Sequence, residues 1–353
     1  MKNKLTLFTI LVLLLYSTPT LLGQQDPMFT KYMFNSQVFN PGYAGSKDYL
    51  SVNILAREQW WGAESIAPNG SSINYAPSTQ TFTLQNPVGE RVSLGLTAIN
   101  DQIGSISSST INAVYAYHFS FGEQGELSIG LQGGLTNYRA DWSGLTFKDP
   151  RSGDAVFAEE NPTRIIPNVG IGLYYHSEKF YVGLSVPHII EYDLRATQLN
   201  EAVLGQNVAR YYRHYYLTAG MAIPISGEDL VFKPSLLIKN VGFLTDFSAS
   251  QNSINQVSAP TQFDIDLSLF FYRTFWVGIS FRSAFEIELF GGTSTIDSGD
   301  IWLSYYLKNG TRIGIAYDYT LSDLRSIQNG TFELMVGYDF NYTVDKVDTP
   351  RYF

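Results

Sequence analysis

Arg312-Ile-Gly-Ile-Ala-Tyr-Asp-Tyr-Thr320 decides how the rest of the chain is read. Ile313, Ile315, Tyr317 and Tyr319 fall on one side of an extended segment, and Arg312, Gly314, Ala316 and Asp318 on the other. Side chains of a strand point alternately to opposite faces, so this stretch has one apolar face and one polar or small face. Residues 332–340 repeat the pattern, with Phe332, Leu334, Val336, Tyr338 and Phe340 against Glu333, Met335, Gly337 and Asp339. Farther back, Val92, Leu94, Leu96 and Ala98 alternate with Ser93, Gly95 and Thr97.

Extended outward, the alternation predicts strands near 49–57, 78–86, 91–100, 108–120, 126–141, 164–176, 179–190, 210–224, 229–241, 262–272, 275–283, 299–308, 311–320 and 331–341. Most are about ten residues long, which is what a tilted strand needs to cross a bilayer. Short links (86–90, 122–125, 177–178, 227–228, 273–274, 309–310) alternate with long polar ones (58–77, 142–163, 191–209, 242–261, 284–298, 321–330), the link at 101–107 being a short exception. Tight turns at one end and large loops at the other are the layout of an outer-membrane barrel. The expectation is an all-β, transmembrane, up-and-down antiparallel β-barrel of about fourteen strands.

The apolar columns carry no Lys, Arg, Asp or Glu, as a lipid-facing surface requires. Charges stand in the opposite columns: Arg57, Lys233, Lys239, Asp264, Asp266, Arg282, Arg312, Asp318, Glu333 and Asp339. A soluble sandwich would place that polar side outermost and enrich it in Lys and Glu. Both signs are interspersed, with Asp264, Asp266, Asp318 and Glu333 available to Arg57, Arg282 and Arg312, which fits a sealed lumen better than a selectivity ring. Tyrosines and tryptophans near strand ends, among them Trp60, Trp61, Tyr115, Tyr117, Tyr174, Tyr175, Tyr211, Tyr212, Tyr215, Tyr216, Trp276, Trp302, Tyr305 and Tyr306, are expected to form interfacial girdles.

Composition agrees. The 353 residues carry a net charge of -9, 15% aromatic and 16% charged residues, and a mean hydropathy near zero. No basic surface for nucleic acid is present. Cysteine is absent, which removes disulfides and thiol chemistry. The only long apolar run is Leu5–Tyr16, preceded by Lys2 and Lys4 and followed by small and polar residues. That is a signal-peptide layout, with cleavage expected after Gly23 and export to the outer membrane. The boundaries read from sequence are 1–23 signal peptide, 24–48 N-terminal periplasmic segment, 49–341 barrel and 342–353 C-terminal periplasmic tail.

Chemistry is sparse. His118, His176, His188 and His214 fall in separate strands with no metal-binding spacing and no Ser/His constellation visible in sequence. Asp149, Asp154, Glu159 and Glu160 form an acidic loop cluster without calcium-ligand spacing. Neither a cofactor nor an enzyme is expected. The informative stretch is 26–46, DPMFTKYMFNSQVFNPGYAGS. Asp26-Pro27 reads as a helix start, with Phe29, Tyr32 and Met33 on one face, and Asn40-Pro41-Gly42 as a turn. Five aromatic rings in so short a span are a poor composition for disorder. The segment is expected to fold as an aromatic clamp or hatch against the barrel mouth.

Gln25-Asp26-Pro27-Met28-Phe29-Thr30-Lys31-Tyr32-Met33-Phe34-Asn35 followed by Asn40-Pro41-Gly42-Tyr43-Ala44-Gly45-Ser46 resembles the opening of the PorP/SprF family of type IX secretion membrane proteins. The likeness continues through Arg57-Glu58-Gln59-Trp60-Trp61-Gly62, Ala76-Pro77-Ser78-Thr79-Gln80, Asn100-Asp101-Gln102-Ile103-Gly104, Lys233-Pro234-Ser235 and Arg351-Tyr352-Phe353. It departs at Phe332, where the family often has His, at Ser36, where it often has Pro, and at 284–298, which looks like added loop. The resemblance implies a non-enzymatic outer-membrane protein whose partners are lipid, type IX components, and a secreted surface adhesin or other cargo. The residues expected to form its structural or partner-binding segment are Asp26, Pro27, Phe29, Tyr32, Asn35, Asn40, Pro41, Tyr43 and Gly45, with Arg57, Gln59 and Trp60 second. A channel or transporter for small solutes, hydrophobic ones included, is the rival reading.

Overall fold

The computed structural model describes residues 27–66, 72–74, 76–122, 125–141, 162–193, 210–227, 229–241, 261–285 and 295–340. Its main sheet closes on itself. The strands are β1 Ser51–Glu58, β2 Ser78–Pro87, β3 Val92–Ile103, β4 Ile106–Ser120, β5 Glu126–Ala140, β6 Thr163–His176 and β7 Phe180–Val186. There follow β8 (His214–Met221, continued after Ala222 by Ile223–Ser226), β9 Leu230–Val241, β10 Thr261–Phe271, β11 Phe275–Phe285, β12 Thr295–Tyr306, β13 Thr311–Thr320 and β14 Thr331–Asp339. Each pairs antiparallel with its sequence neighbours, and β1 pairs with β14 from Ser51↔Asp339 to Glu58↔Phe332, so the ring of fourteen has no outer edge strand. Closure matters because an open edge in hydrocarbon strands backbone N–H and C=O groups at several kcal/mol each. Among the described residues no helix is long and apolar enough to cross a membrane.

The register turns the alternation into two surfaces. Along β13 and β14 the residues expected to face lipid are exposed, Ile315 at 54% and Leu334 at 50%, except Tyr317, half-buried against Phe332, while Arg312, Asp318, Glu333 and Asp339 are buried. All ten interior charges read from the sequence are buried inside the ring. A charge on the outer surface is costly at mid-membrane. Leu334→Arg is therefore expected to destabilise the bilayer-inserted barrel by about 2–4 kcal/mol, read from reversible urea unfolding in vesicles.

The girdle expectation needs correction. Tyr174, Tyr212, Tyr216, Trp276 and Trp302 are buried. Parity is the reason: Trp302 lies between the exposed Ile301 and Leu303, so the pleat turns its ring into the lumen. Tyr115, Tyr305 and Trp61 do face outward.

Candidate functional site

The lumen holds the chain's own N-terminal segment. Pro27 to Ser46 runs through it as a 3-10 turn (Tyr32–Phe34), one α-helical turn (Ser36–Phe39) and a second 3-10 turn (Pro41–Tyr43). The helix expected from Asp26 onward does not start there: Asp26 lies outside the described residues, and 27–31 are irregular. The backbone donors it would have used go to the wall, Thr30 N–H to Glu333 Oε2 at 3.0 Å and Lys31 N–H to Glu333 Oε1 at 3.1 Å. The clamp or plug expected of this segment lies within the barrel instead of against its mouth, because the segment's polar side chains reach strands all round the ring.

Toward the long-loop end the contacts are ionic. Arg57 Nη2 lies 2.7 Å from Asp318 Oδ2, and its Nη1 lies 3.3 Å from Glu333 Oε2. The Thr30 hydroxyl sits between them, accepting from Arg57 Nη1 at 2.5 Å and donating to Asp318 at 2.6 Å. Arg282 binds Asp264 at 3.0 Å and donates its other arm to the Phe29 carbonyl at 3.0 Å. Arg57, Arg282, Asp264, Asp318 and Glu333 are at most 3% exposed.

Halfway down, ring packing takes over. Phe39 meets Phe29 and Tyr216 edge-on at 5.6 and 5.3 Å, and Phe34 packs on Trp276 and Trp302 at 4.8 and 5.7 Å. These are separations at which aromatic pairs add to plain burial. Tyr32 O–H donates to Ser235 at 2.7 Å, Asn35 to Thr81 at 3.1 Å, and Gln37 to the carbonyls of Leu84 and Leu96 at 3.1 Å.

The Asn40-Pro41-Gly42 turn is a local consequence of its residues. A residue before proline is pushed out of the α region, and Asn40 is extended, with φ -135° and ψ 109°. Its side chain then caps the turn, accepting from Gly42 N–H at 2.8 Å while donating to the Leu173 carbonyl at 2.9 Å. The wall has glycines where the turn presses against it: a Cβ on Gly130 would stand 2.2 Å from the Pro41 carbonyl carbon.

At the short-turn end Gly45 takes φ +83°, its N–H donates to Gln85 Oε1 at 2.8 Å, and Tyr43 packs on Tyr174 at 5.3 Å. Lys47 and Arg312 share Asp339, at 3.4 and 2.8 Å. Beside Gly45 is a constellation that the sequence concealed: His118 lies 2.9 Å from Ser93 Oγ, 2.8 Å from Glu126 Oε1 and 2.8 Å from Ser128 Oγ. The first three resemble a nucleophile, a base and an orienting carboxylate. Ser93 is only 1% exposed, however, and Gly45 lies so close that an added Cβ would meet the serine hydroxyl. With the segment in place no substrate carbonyl reaches it, and the cluster serves as a polar seat for Gly45. Among the described residues no group of side chains could hold a metal ion, and the acidic loop cluster at 149–160 lies outside them.

The structure thus brings Phe29, Tyr32, Asn35, Asn40, Pro41, Tyr43, Gly45 and Arg57 together in the lumen. Gln59 and Trp60 stand apart, at the loop end of β1, where their backbone N–H groups donate to the Pro77 carbonyl and the Thr331 hydroxyl. Sequence reasoning missed Thr30, Lys31 and Gln37, which are fully buried. Their one signal was polarity recurring among aromatic residues.

Lys31 has a measurable consequence. Burial pushes its ammonium down to about 8 from 10.5, against the attraction of Glu333, Asp318 and Asp266. Burial and the neighbouring Arg312 push Lys47 to about 8 as well, against Asp339. Between these values and 10.5 the released segment binds more protons than the docked one, so raising the pH through that window favours docking. The barrel's thermal midpoint in detergent is expected to carry a rising contribution between pH 8 and 10, and Lys31→Met to lose the lysine's share of that slope. An unchanged slope in Lys31→Met would place Lys31 in water.

The family model described as type IX secretion system membrane protein PorP/SprF matches residues 21–338. No curated protein matches the chain. Among solved structures, the chain is similar to the Pseudomonas putida toluene transporter TodX, with 9% identity and TM-score 0.49 over 92% of this chain and 100% of that one. It is also similar to the CymD monoaromatic hydrocarbon channel, with 10% identity and TM-score 0.47 over 91% and 95% of the two chains. A Pseudomonas aeruginosa FadL homologue gives 12% identity and TM-score 0.44 over 86% and 94%. These are likenesses between barrels.

Proposed function

Because the chain belongs to the PorP/SprF family of type IX secretion system membrane proteins, we propose that it is a non-enzymatic outer-membrane component of that machinery which holds a protein partner. The partner is either the periplasmic apparatus or a secreted adhesin to be delivered and kept at the surface. The observation that carries this reading is the segment in the lumen. A barrel for passing solutes needs its bore, whereas this bore is occupied by twenty of its own residues, tied down by hydrogen bonds to buried charged side chains of the wall. What such a body offers is an outer-membrane anchor with two ends, tight turns toward the periplasm and large loops toward the outside.

Removing the gene tests it. The expected phenotype is retention of particular exported proteins inside the cell, with small-solute uptake unchanged. A planar-bilayer recording of the intact protein is expected to show no steady current. Conductance with normal secretion would return the chain to the channel reading.

A further inference from the structure

The outward surface is not apolar throughout. On the first five strands it turns polar toward the long-loop end. Ala56 gives way to Glu58 on β1, Phe82 to Gln80 and Ser78 on β2, Ala98 to Asn100 on β3, Ile111 to Ser109 on β4, and Leu135 to Asn137 on β5. On β11 and β13 the same end keeps the exposed rings of Phe281 and Tyr319, so the fold does not require a polar rim there.

The polar row is bonded in one direction. Ser109 donates to Asn100 Oδ1 at 2.8 Å, Asn100 Nδ2 to Gln80 Oε1 at 2.9 Å, Gln80 Nε2 to Ser78 at 2.7 Å, and Ser78 to Glu58 Oε1 at 2.8 Å. Register makes this chain: Asn100 stands opposite both Gln80 and Ser109, and Ser78 opposite Glu58. Asn137 stands opposite Ser109 in turn, so the row crosses five strands. Donors that run toward a carboxylate polarise one another, which fixes the amides in one orientation. A primary amide has two N–H donors and two lone pairs. Asn100 and Gln80 each spend one of both within the row and keep one of both for an outside partner.

An indole stands at the Glu58 end. Phe332 is opposite Glu58, and Trp61 packs edge-on against Phe332 at 5.8 Å with 57% of its surface exposed. Its N–H donates to the Gly330 carbonyl and its carbonyl accepts from Asn329 N–H, both at 2.7 Å. The turn that places it there puts Trp60 at φ +54°, a left-handed backbone uncommon outside glycine.

We propose that this row, together with Trp61, binds the sugar head group of an outer-leaflet glycolipid. The row starts where each apolar column stops, on the long-loop side, so acyl chains lying along those columns bring their head group to it. Sugar hydroxyls both donate and accept, which matches amides that retain one donor and one acceptor. An exposed indole offers a flat apolar face to the C–H side of a sugar ring. Neighbouring strands are about 4.8 Å apart, so from Glu58 to Asn137 the row spans roughly 19 Å, room for more than one ring. Glu58 accepts from hydroxyls but repels the phosphate of an ordinary phospholipid. The proposal rests on the outer-membrane location and is independent of the secretion role.

The test uses the intact protein in nanodiscs of phosphatidylcholine, phosphatidylglycerol and rough lipopolysaccharide in known ratio. After transfer to mild detergent, retained lipid is identified by native mass spectrometry. The protein is expected to keep lipopolysaccharide severalfold above its share of the mixture. Gln80→Leu with Asn100→Leu should abolish the excess, with folding checked by heat-dependent mobility in dodecyl sulfate gels. Trp61→Ala, outside the strands, should reduce it on its own, and Tyr319→Leu should leave it unchanged. No excess in the unaltered protein, or an excess indifferent to the row and indole changes, would overturn the site. Equal enrichment of phosphatidylglycerol would overturn the sugar as what is recognised. Competition by the free core oligosaccharide as strong as by the whole lipid would overturn the glycolipid as occupant.

Discussion

A chain lacking residues 27–46 is expected to insert as a barrel, to carry a steady current in a planar bilayer where the intact protein carries none, and to fail in secretion. Insertion should survive because the wall does not depend on the segment. Every one of the fourteen strands finds two neighbours in the ring, and the outward columns that meet lipid are untouched. Inside, Arg57 keeps Asp318 and Glu333, Arg282 keeps Asp264, and Arg312 keeps Asp339, all as wall-to-wall pairs. What disappears is the packing of Phe29, Tyr32, Phe34 and Phe39, each worth about 1.5–3 kcal/mol when fully buried. The rings around them, Trp276, Trp302 and Tyr216, then meet water. A barrel of this strand number without its filling has room for an aqueous path. Current without loss of secretion would reduce the segment to a stopper. Loss of secretion without current would mean that the emptied lumen collapses. Normal secretion by the deleted chain would sink the idea that the segment is needed for function.

How much of this could be read from the chain depends on the range of the contacts. Strand positions and the inward direction of the ten charges follow from a period of two, a property of neighbours in sequence. The inward turn of Trp302 between Ile301 and Leu303 was legible by the same parity; grouping aromatics by nearness to strand ends obscured it. The place of the N-terminal segment was not legible, because what holds it is remote. Thr30 meets Glu333 across 303 positions and Tyr32 meets Ser235 across 203. Composition announces only that the segment must be buried somewhere. The same limit hid the contact of Ser93 with His118, which arises from register between β3 and β4.

Arg57 is the residue whose loss should cost most. Substituting Arg57→Met removes the cation between Asp318 and Glu333 and leaves two buried carboxylates short of a partner. Breaking a buried pair on one side typically costs about 3–5 kcal/mol, because the remaining charge stays desolvated. Asp318 would still have the Thr30 hydroxyl and a distant Arg282, 4.0 Å away, and Glu333 the two N–H groups of Thr30 and Lys31. Those donors belong largely to the segment, so the wall's loss should pull on the plug: Thr30 and Lys31 would be held by charges that now favour water. Arg57→Met is therefore expected both to lower the urea midpoint and to expose 27–46 to protease in the otherwise folded barrel. Arg57→Lys should recover only part, since a compact ammonium lacks the planar fork that sets Nη2 on Asp318 and Nη1 on Glu333 from one side chain. The decisive variant is Arg57→Met with Asp318→Asn. If the cost is uncompensated charge, neutralising one carboxylate should make the pair less damaging than the sum of its singles, with a coupling on the order of 0.5–3 kcal/mol. Strict additivity would mean that the arginine acts by its bulk, and the ionic account of how the plug is held would fail.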